Sequence, residues 1–239
     1  MKSSLINTNH RLIIILFIYA WTSAGASSQV KQGAIRASKK VEVTVIRFSP
    51  IGDTVALGCK DNLIHVLSAT SGYRHVALCR GHSSYIRNID FSTDGLTIRS
   101  TDAAKELLHW DVMTGQRVTN PSNFRDLEWV THSSVYHWAA QGIYNRWNGN
   151  NFGAPDSEIN CAARTPDGRY LVAGGSHTGH SALKLFNFPC LPNCIPSLHG
   201  GHTSPVLDLS FITLNSKAYQ LISVGGNDSC IFQWKFKKI

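Results

Sequence analysis

The sequence predicts an all-β protein made of about four antiparallel, four-stranded blades, arranged as a partial or open β-propeller. Three observations predict it. A phrase opening on Gly-His and closing on Trp is present twice, from Gly81-His82 to Trp110 and from Gly201-His202 to Trp234. Strand-length runs rich in β-branched and aromatic residues fill these phrases, and turn residues part them. The runs also recur. Phe48 to Phe91 is 43 residues and Arg164 to Phe211 is 47, at or just above the period of WD-type repeats. Phe91 to Arg164 is 73 residues, so about 30 residues are inserted there relative to one repeat period.

Each element follows in order. Residues 1–26 read as a signal-like leader. Lys2 and Arg11 make a positive front, Leu12–Ala20 is apolar, and Ala24-Gly25-Ala26 suits a small-residue cleavage site. The apolar run is too short for a transmembrane helix. Residues 27–40 are a basic linker, 41–236 the WD-repeat blades, and 237–239 a basic tail.

Blade one is expected to use Thr44–Phe48, Thr54–Gly58, Asn62–Ser68 and an outer strand at Arg74–Cys79. Blade two runs from Ile86 to about Thr119, with a weak second strand at Leu96–Ser100 and a loose hairpin at Ala103–Glu106. In the insertion, Arg125–Val130 reads as an outer strand, and a polar Asn-Gly loop runs through Asp156. Blade three is Ile159–Phe188. Cys190–Ser197 is a Pro-rich connector, and blade four closes the chain. Phe48, Phe91 and Phe211 are expected to point inward. Such blades bury their faces against nearest neighbours.

Charge narrows the function. The formal net charge is +8, but residues 1–40 hold six basic residues and no acid. The remainder carries 17 basic and 15 acidic residues, so the blades are nearly neutral. No basic-aromatic motif of a nucleic-acid module is present. Neither nucleic acid nor membrane is expected as a partner.

Two sets of residues imitate a hydrolase site: His82, Ser100, Asp102 and Trp110, and His202, Ser223, Asp228 and Trp234. Both have the order and spacing of the WD-repeat hydrogen-bond network. There the blade-opening His bonds the Asp of the tight turn, and Ser and the Trp nitrogen extend the chain. Such a network fixes one packing geometry, because an unpaired buried member is costly. Both sets are read as structural, and no catalytic residue is assigned. Blade one keeps Asp61 but lacks the Gly-His opening and has Leu67 in place of Trp.

Cys190 and Cys194 are the only close cysteine pair, with His199 and His202 nearby. Structural zinc sites need a second such pair or closely spaced histidines, so a loop is the better reading. No metal or cofactor is expected. The Gly-rich stretch Gly174–His180 lies between two strands. A phosphate cradle needs a helix N-terminus, so a hairpin turn is expected. The insertion aromatics Trp129, Trp138, Tyr144 and Trp147 read first as packing residues, and Trp129, Tyr144 and Trp147 are the candidates for a partner surface. Asn227-Asp228-Ser229 is a glycosylation sequon placed on a network turn, which counts against secretion.

Linked phrases carry a family resemblance. R-D-L-E-W-V-T at Arg125–Thr131, Q-G-I-Y at Gln141–Tyr144 and E-I-N-C-A-A-R at Glu158–Arg164 are three of them. L-K-L-F-N-F-P-C at Leu183–Cys190, G-G-H-T-S-P-V at Gly200–Val206 and L-I-S-V-G-G-N-D-S-C-I-F-Q-W at Leu221–Trp234 are the others. Over about residues 41–236 the chain resembles the final part of echinoderm microtubule-associated protein-like proteins. The resemblance implies a cytoplasmic, cytoskeletal, non-enzymatic scaffold whose partners are tubulin, microtubules and other proteins. It implies a family with two fused propellers and, in many members, an N-terminal trimerising coiled coil. This sequence matches only the end of the second propeller, which reads as a truncated form. Where the family has Asp-Asp-Phe-Gly near Gly175, this sequence has Gly-Ser-His-Thr-Gly. The signal-like leader keeps a second function open, a secreted or surface-exposed propeller-like binding module.

Overall fold

The computed structural model describes residues 41–124, 126–144, 158–176, 181–192, 194–215 and 218–236. The leader, the linker, the tail, Trp147, the Asn-Gly loop and His177–His180 lie outside the described residues. The described chain folds into four antiparallel sheets, each built from strands consecutive in sequence.

Blade one is β1 (Val43–Phe48), β2 (Thr54–Cys59), β3 (Ile64–Ser68) and β4 (Arg74–Cys79), paired in that order. Blade two is β5 (Ile86–Phe91), β6 (Thr97–Asp102) and β7 (Leu107–Asp111). Blade three is β8 (Glu158–Arg164), β9 (Tyr170–Ser176), β10 (Ser181–Asn187) and β11 (Ser197–His202). Blade four is β12 (Val206–Asn215), β13 (Ala218–Gly225) and β14 (Ile231–Lys235).

The first hairpin of each of the first three blades is closed by the same local chemistry. A hydroxyl before the turn donates to an aspartate within it and accepts a backbone N–H beyond it. Ser49 Oγ is 2.6 Å from Asp53, Ser92 Oγ 2.5 Å from Asp94, and Thr165 Oγ1 2.7 Å from Asp167. The N–H groups of Thr54, Thr97 and Tyr170 donate back to those hydroxyls. These self-contained turns set the strand register before any tertiary contact is needed.

Blades stack in two pairs through one repeated device. Gly58 of β2 and Gly174 of β9 face the first residue of the next blade, Ile86 and Val206. A Cβ on Gly58 would lie 2.6 Å from Ile86 Cγ2, and one on Gly174 would lie 2.8 Å from Val206 Cγ1. Only glycine admits this approach. The Ile86 carbonyl accepts from Thr44 Oγ1, and the Val206 carbonyl accepts from Asn160 Nδ2 at 3.2 Å. Ile86 and Val206 are fully buried. One apolar core therefore joins blades one and two through Ile64, Val66, Ile86, Ile89, Phe91 and Trp110. Another joins blades three and four through Val172, Leu183, Val206, Leu209 and Leu221.

The four-strand expectation holds for two blades and is corrected for two. Beside β7, an outer strand is reduced to the single bridge Trp110–Arg117 and the bond from Val118 N to the His109 carbonyl. Pro121 then starts a 3₁₀ turn over Pro121–Phe124, and proline offers no N–H to continue a ladder. Blade four has three strands among the described residues. The expected outer strand at Arg125–Val130 is also corrected. Trp129 pairs with Ser92, while Val130 N donates to the Phe91 carbonyl and Thr93 N to that of Glu128. The segment thus runs along the free edge of β5, on the opposite side of the blade. In this placement the Trp129 indole is buried.

Phe91 points inward and is fully buried. Phe48 and Phe211 are half-buried. Phe48 packs on the far face of blade one with Val55 and Leu57, and Phe211 packs against Tyr219 and Phe236. Among the described residues, no helix is long and apolar enough to cross a membrane.

Candidate partner-binding cleft and the buried networks

In blade two the Trp110 indole N–H donates to Ser100 Oγ at 2.7 Å, and Ser100 Oγ lies 2.7 Å from His82 Nε2. The Ser100 hydroxyl thus links the indole to the imidazole. His82 Nδ1 lies 3.3 Å from Asp102 Oδ2, outside hydrogen-bond alignment. Burial lowers the pKa of His82, against the pull of Asp102. Blade four repeats the arrangement. Trp234 Nε1 donates to Ser223 Oγ at 2.8 Å, Ser223 Oγ meets His202 Nε2 at 2.7 Å, and His202 Nδ1 meets Asp228 Oδ2 at 3.0 Å.

Both aspartates also fasten backbone. Asp102 accepts from Ser84 N and Glu106 N, and Asp228 accepts from Thr203 N and Cys230 N. The structure thus brings together all eight residues singled out for the two networks. Ser100 and Ser223 are fully buried, and each hydroxyl is held between an indole and an imidazole. Neither presents a lone pair to a substrate.

The cysteine-histidine group does not assemble. His202 is turned into its network, His199 is exposed beside Ser197, and Cys190 is fully buried. Asn227 is exposed.

The feature least visible in the sequence is a polar clasp inside the insertion. Asp90 of β5 is fully buried. It accepts from Arg99 Nε at 2.9 Å, Ser133 N at 2.9 Å, Ser133 Oγ at 2.8 Å, Ser134 N at 3.1 Å and Thr131 Oγ1. Burial alone would raise this carboxyl's pKa. The Arg99 guanidinium and the donated hydrogen bonds outweigh burial and hold it at about 2. Arg99, 2% exposed, also sits 4.5 Å from the Trp129 ring and bonds the Thr131 carbonyl and His132 Nδ1. The clasp ties the insertion to blade two. Beyond it, Val135, Ala140 and Ile143 pack into blade three around Leu171 and Phe186.

Between these contacts lies a cleft of about 1340 Å³, lined by Leu107, His109, Phe124, Tyr136, Trp138 and Arg164 among others. Arg164 stands 5.3 Å from the Phe188 ring and 3.9 Å from Glu128 at the rim. His132 and His137 line the cleft floor, and their Nε2 atoms have no hydrogen-bond partner. Burial, then Arg99, drives His132 to a pKa of about 2 and His137 to about 3.

Of the three aromatic candidates, Trp129 is buried and packs under Arg99, so it is corrected from surface to core. The side chain of Tyr144 and the whole of Trp147 lie outside the described residues. Trp138, another of the insertion aromatics, is 53% exposed at the cleft.

The sequence profile for the echinoderm microtubule-associated protein second beta-propeller matches residues 15–236. The chain belongs to this family. Echinoderm microtubule-associated protein-like 2 of Mus musculus is 32% identical over 206 residues, covering 84% of this chain and 30% of the relative. The 77 kDa echinoderm microtubule-associated protein of Strongylocentrotus purpuratus is 32% identical over 199 residues, covering 82% and 27%. Echinoderm microtubule-associated protein-like 3 of Homo sapiens is 33% identical over 199 residues, covering 81% and 21%. This family member therefore spans under a third of the length of these relatives. Among solved structures, the RRP9 WD40 repeats superpose with a TM-score of 0.43 at 19% identity, over 83% of this chain and 49% of that one. The Cps50 (Swd1) β-propeller domain of Myceliophteria thermophila gives 0.44 at 13%, over 83% and 55%.

Proposed function

We propose that this chain is a non-enzymatic WD-repeat scaffold of the microtubule cytoskeleton, whose partners are tubulin and other proteins. The observation that carries this reading is the match of residues 15–236 to the family's second propeller, together with relatives named as microtubule-associated. The geometry supports it. The two serine-histidine-aspartate sets are closed hydrogen-bond networks, and the cleft between blades two and three offers Trp138 and Arg164 to a protein partner. A cytoplasmic setting is favoured over the secreted alternative, because the family match begins at residue 15, inside the apolar run of the leader.

Binding to microtubules by this chain alone is weak and electrostatic. The blades are nearly neutral, and acidic surfaces attract basic segments over about 8 Å at physiological salt. The test is co-sedimentation of the full chain with polymerised tubulin across a salt series. The expected result is pelleting at low salt that fades as salt rises. It should be lost when Lys31, Lys39, Lys40, Lys235, Lys237 and Lys238 are replaced by Gln. Tight, salt-insensitive pelleting of that variant would show that the blade surface itself recognises tubulin. Absence of pelleting at low salt would remove tubulin as a direct partner.

A further inference from the structure

Blade one departs from the network of blades two and four in a way that leaves metal-binding donors in place. The turn aspartate, Asp61, is retained, and its Oδ1 accepts from Leu63 N at 3.2 Å. No Gly-His precedes this blade to engage the other oxygen, and Leu67 stands where the indole would. Instead a histidine arrives from within the sheet. His65 of β3 pairs across to Leu57 of β2, so its side chain shares a face with Leu57 and, two residues on, with Cys59.

The side chains of Cys59, Asp61 and His65 converge, with one ligand atom from each lying within 4.8 Å of the other two. Cys59 is 3% exposed and His65 6% exposed. His65 Nε2 faces Asp61 Oδ2 at 3.9 Å, beyond hydrogen-bond distance, and the ring's other nitrogen, Nδ1, has no hydrogen-bond partner. The Cys59 thiol makes only a long contact, 3.8 Å, to the Leu57 carbonyl. The carboxylate of Asp61 is 32% exposed, which gives solvent access to a site whose other two members are buried.

We propose that Cys59, Asp61 and His65 form a site for a divalent transition-metal ion of the zinc class at the turn between β2 and β3. One thiolate, one imidazole and one carboxylate are a zinc donor set, and three protein ligands leave the fourth tetrahedral position to water. Ligand atoms in such a site stand roughly 3.3–3.6 Å apart, so a modest closure of the Asp61 turn completes it. On binding, the Cys59 S–H bond breaks, a sulfur–metal bond forms, and the proton leaves to solvent.

A similar-looking group in blade two does not qualify. In His82, Asp102 and Glu106, the imidazole Nε2 is taken by Ser100, both oxygens of Asp102 accept backbone N–H groups, and Glu106 is held by Ser83. Blade one has lost the hydrogen bonds that occupy these donors elsewhere.

The test is titration of the purified full chain with Co²⁺, followed by displacement with Zn²⁺. The expected result is one equivalent per chain, a thiolate-to-cobalt charge-transfer band, and visible bands of four-coordinate intensity that Zn²⁺ abolishes. Cys59→Ser should remove the charge-transfer band. His65→Gln should weaken binding by at least about tenfold, and Asp61→Asn should weaken it while the band remains. Cys194→Ser should change nothing, which separates this site from the other thiol pair. Zn²⁺ should raise the melting temperature of the wild type and not that of Cys59→Ser. If Cys59→Ser fails to fold, Asp61→Asn on the exposed turn carries the affinity measurement. No stoichiometric binding, a charge-transfer band that survives Cys59→Ser, or a band lost in Cys194→Ser would each overturn the proposal.

Discussion

At the scale of single residues, Asp90 carries the largest local burden. Five donors converge on its two oxygens, and one of them is a buried guanidinium. Asp90→Asn would put an amide against the N–H groups of Ser133 and Ser134 and leave Arg99 without its counter-charge. Breaking a buried pair on one side costs about 3–5 kcal/mol. The expected outcome is a matching fall in unfolding free energy from denaturant titration, with the slope unchanged. A loss below about 1 kcal/mol would show that the clasp is not held by charge. None of this was legible in the sequence. Asp90 sits in a strand that reads like any other, and Ser133 is 43 residues away. The Thr-His-Ser-Ser run carries no periodicity to announce that its backbone wraps a carboxylate. The networks at His82 and His202 were legible, because fixed spacing within one repeat announces them.

At the scale of the element, blade four shows what a network contributes. Its outer face is exposed and apolar, with Leu207 56% and Ile231 71% exposed, so its cohesion depends on the inner face. Ser223→Ala removes both bonds of the central hydroxyl and leaves the Trp234 N–H without an acceptor. His202→Ala removes the other end of the chain. Each is expected to destabilise the protein by about 1–3 kcal/mol. Hydrogen exchange should show faster opening of β13 and β14 in each variant, and unchanged protection there would contradict the pairing. The strands of blade one were found from sequence to within two residues. β11 was not, because five of its six residues are exposed and Ser-Leu-His-Gly-Gly has little strand character. It is a strand by virtue of the edge that β10 offers it. The misplaced Arg125–Val130 strand has the same origin, since local pattern states that a segment is extended but not which edge receives it.

At the scale of the whole molecule, acid should unfold this protein early. His132 and His137 are buried and neutral, with pKa values of about 2 and 3, far below the ordinary 6.5 of an unfolded chain. Between those limits the unfolded state binds protons that the folded state refuses, so stability falls as pH falls. The contribution is complete above about pH 6.5 and declines below it, by up to about 1.4 kcal/mol per pH unit for each histidine. Asp90 adds its own loss only between about pH 4 and its folded value of about 2. Melting temperature measured from pH 7.5 to 5 should drop steeply, and His132→Gln with His137→Gln should flatten the slope. An unchanged slope in the double variant would place the acid sensitivity elsewhere. The paired stacking of blades has a mechanical consequence as well. Within each pair, strands resist separation through ladders and a shared core. Between blades two and three the load passes through the segment that Asp90 grips and Leu171 and Phe186 anchor. A pull applied to the two ends of the array would be felt there first.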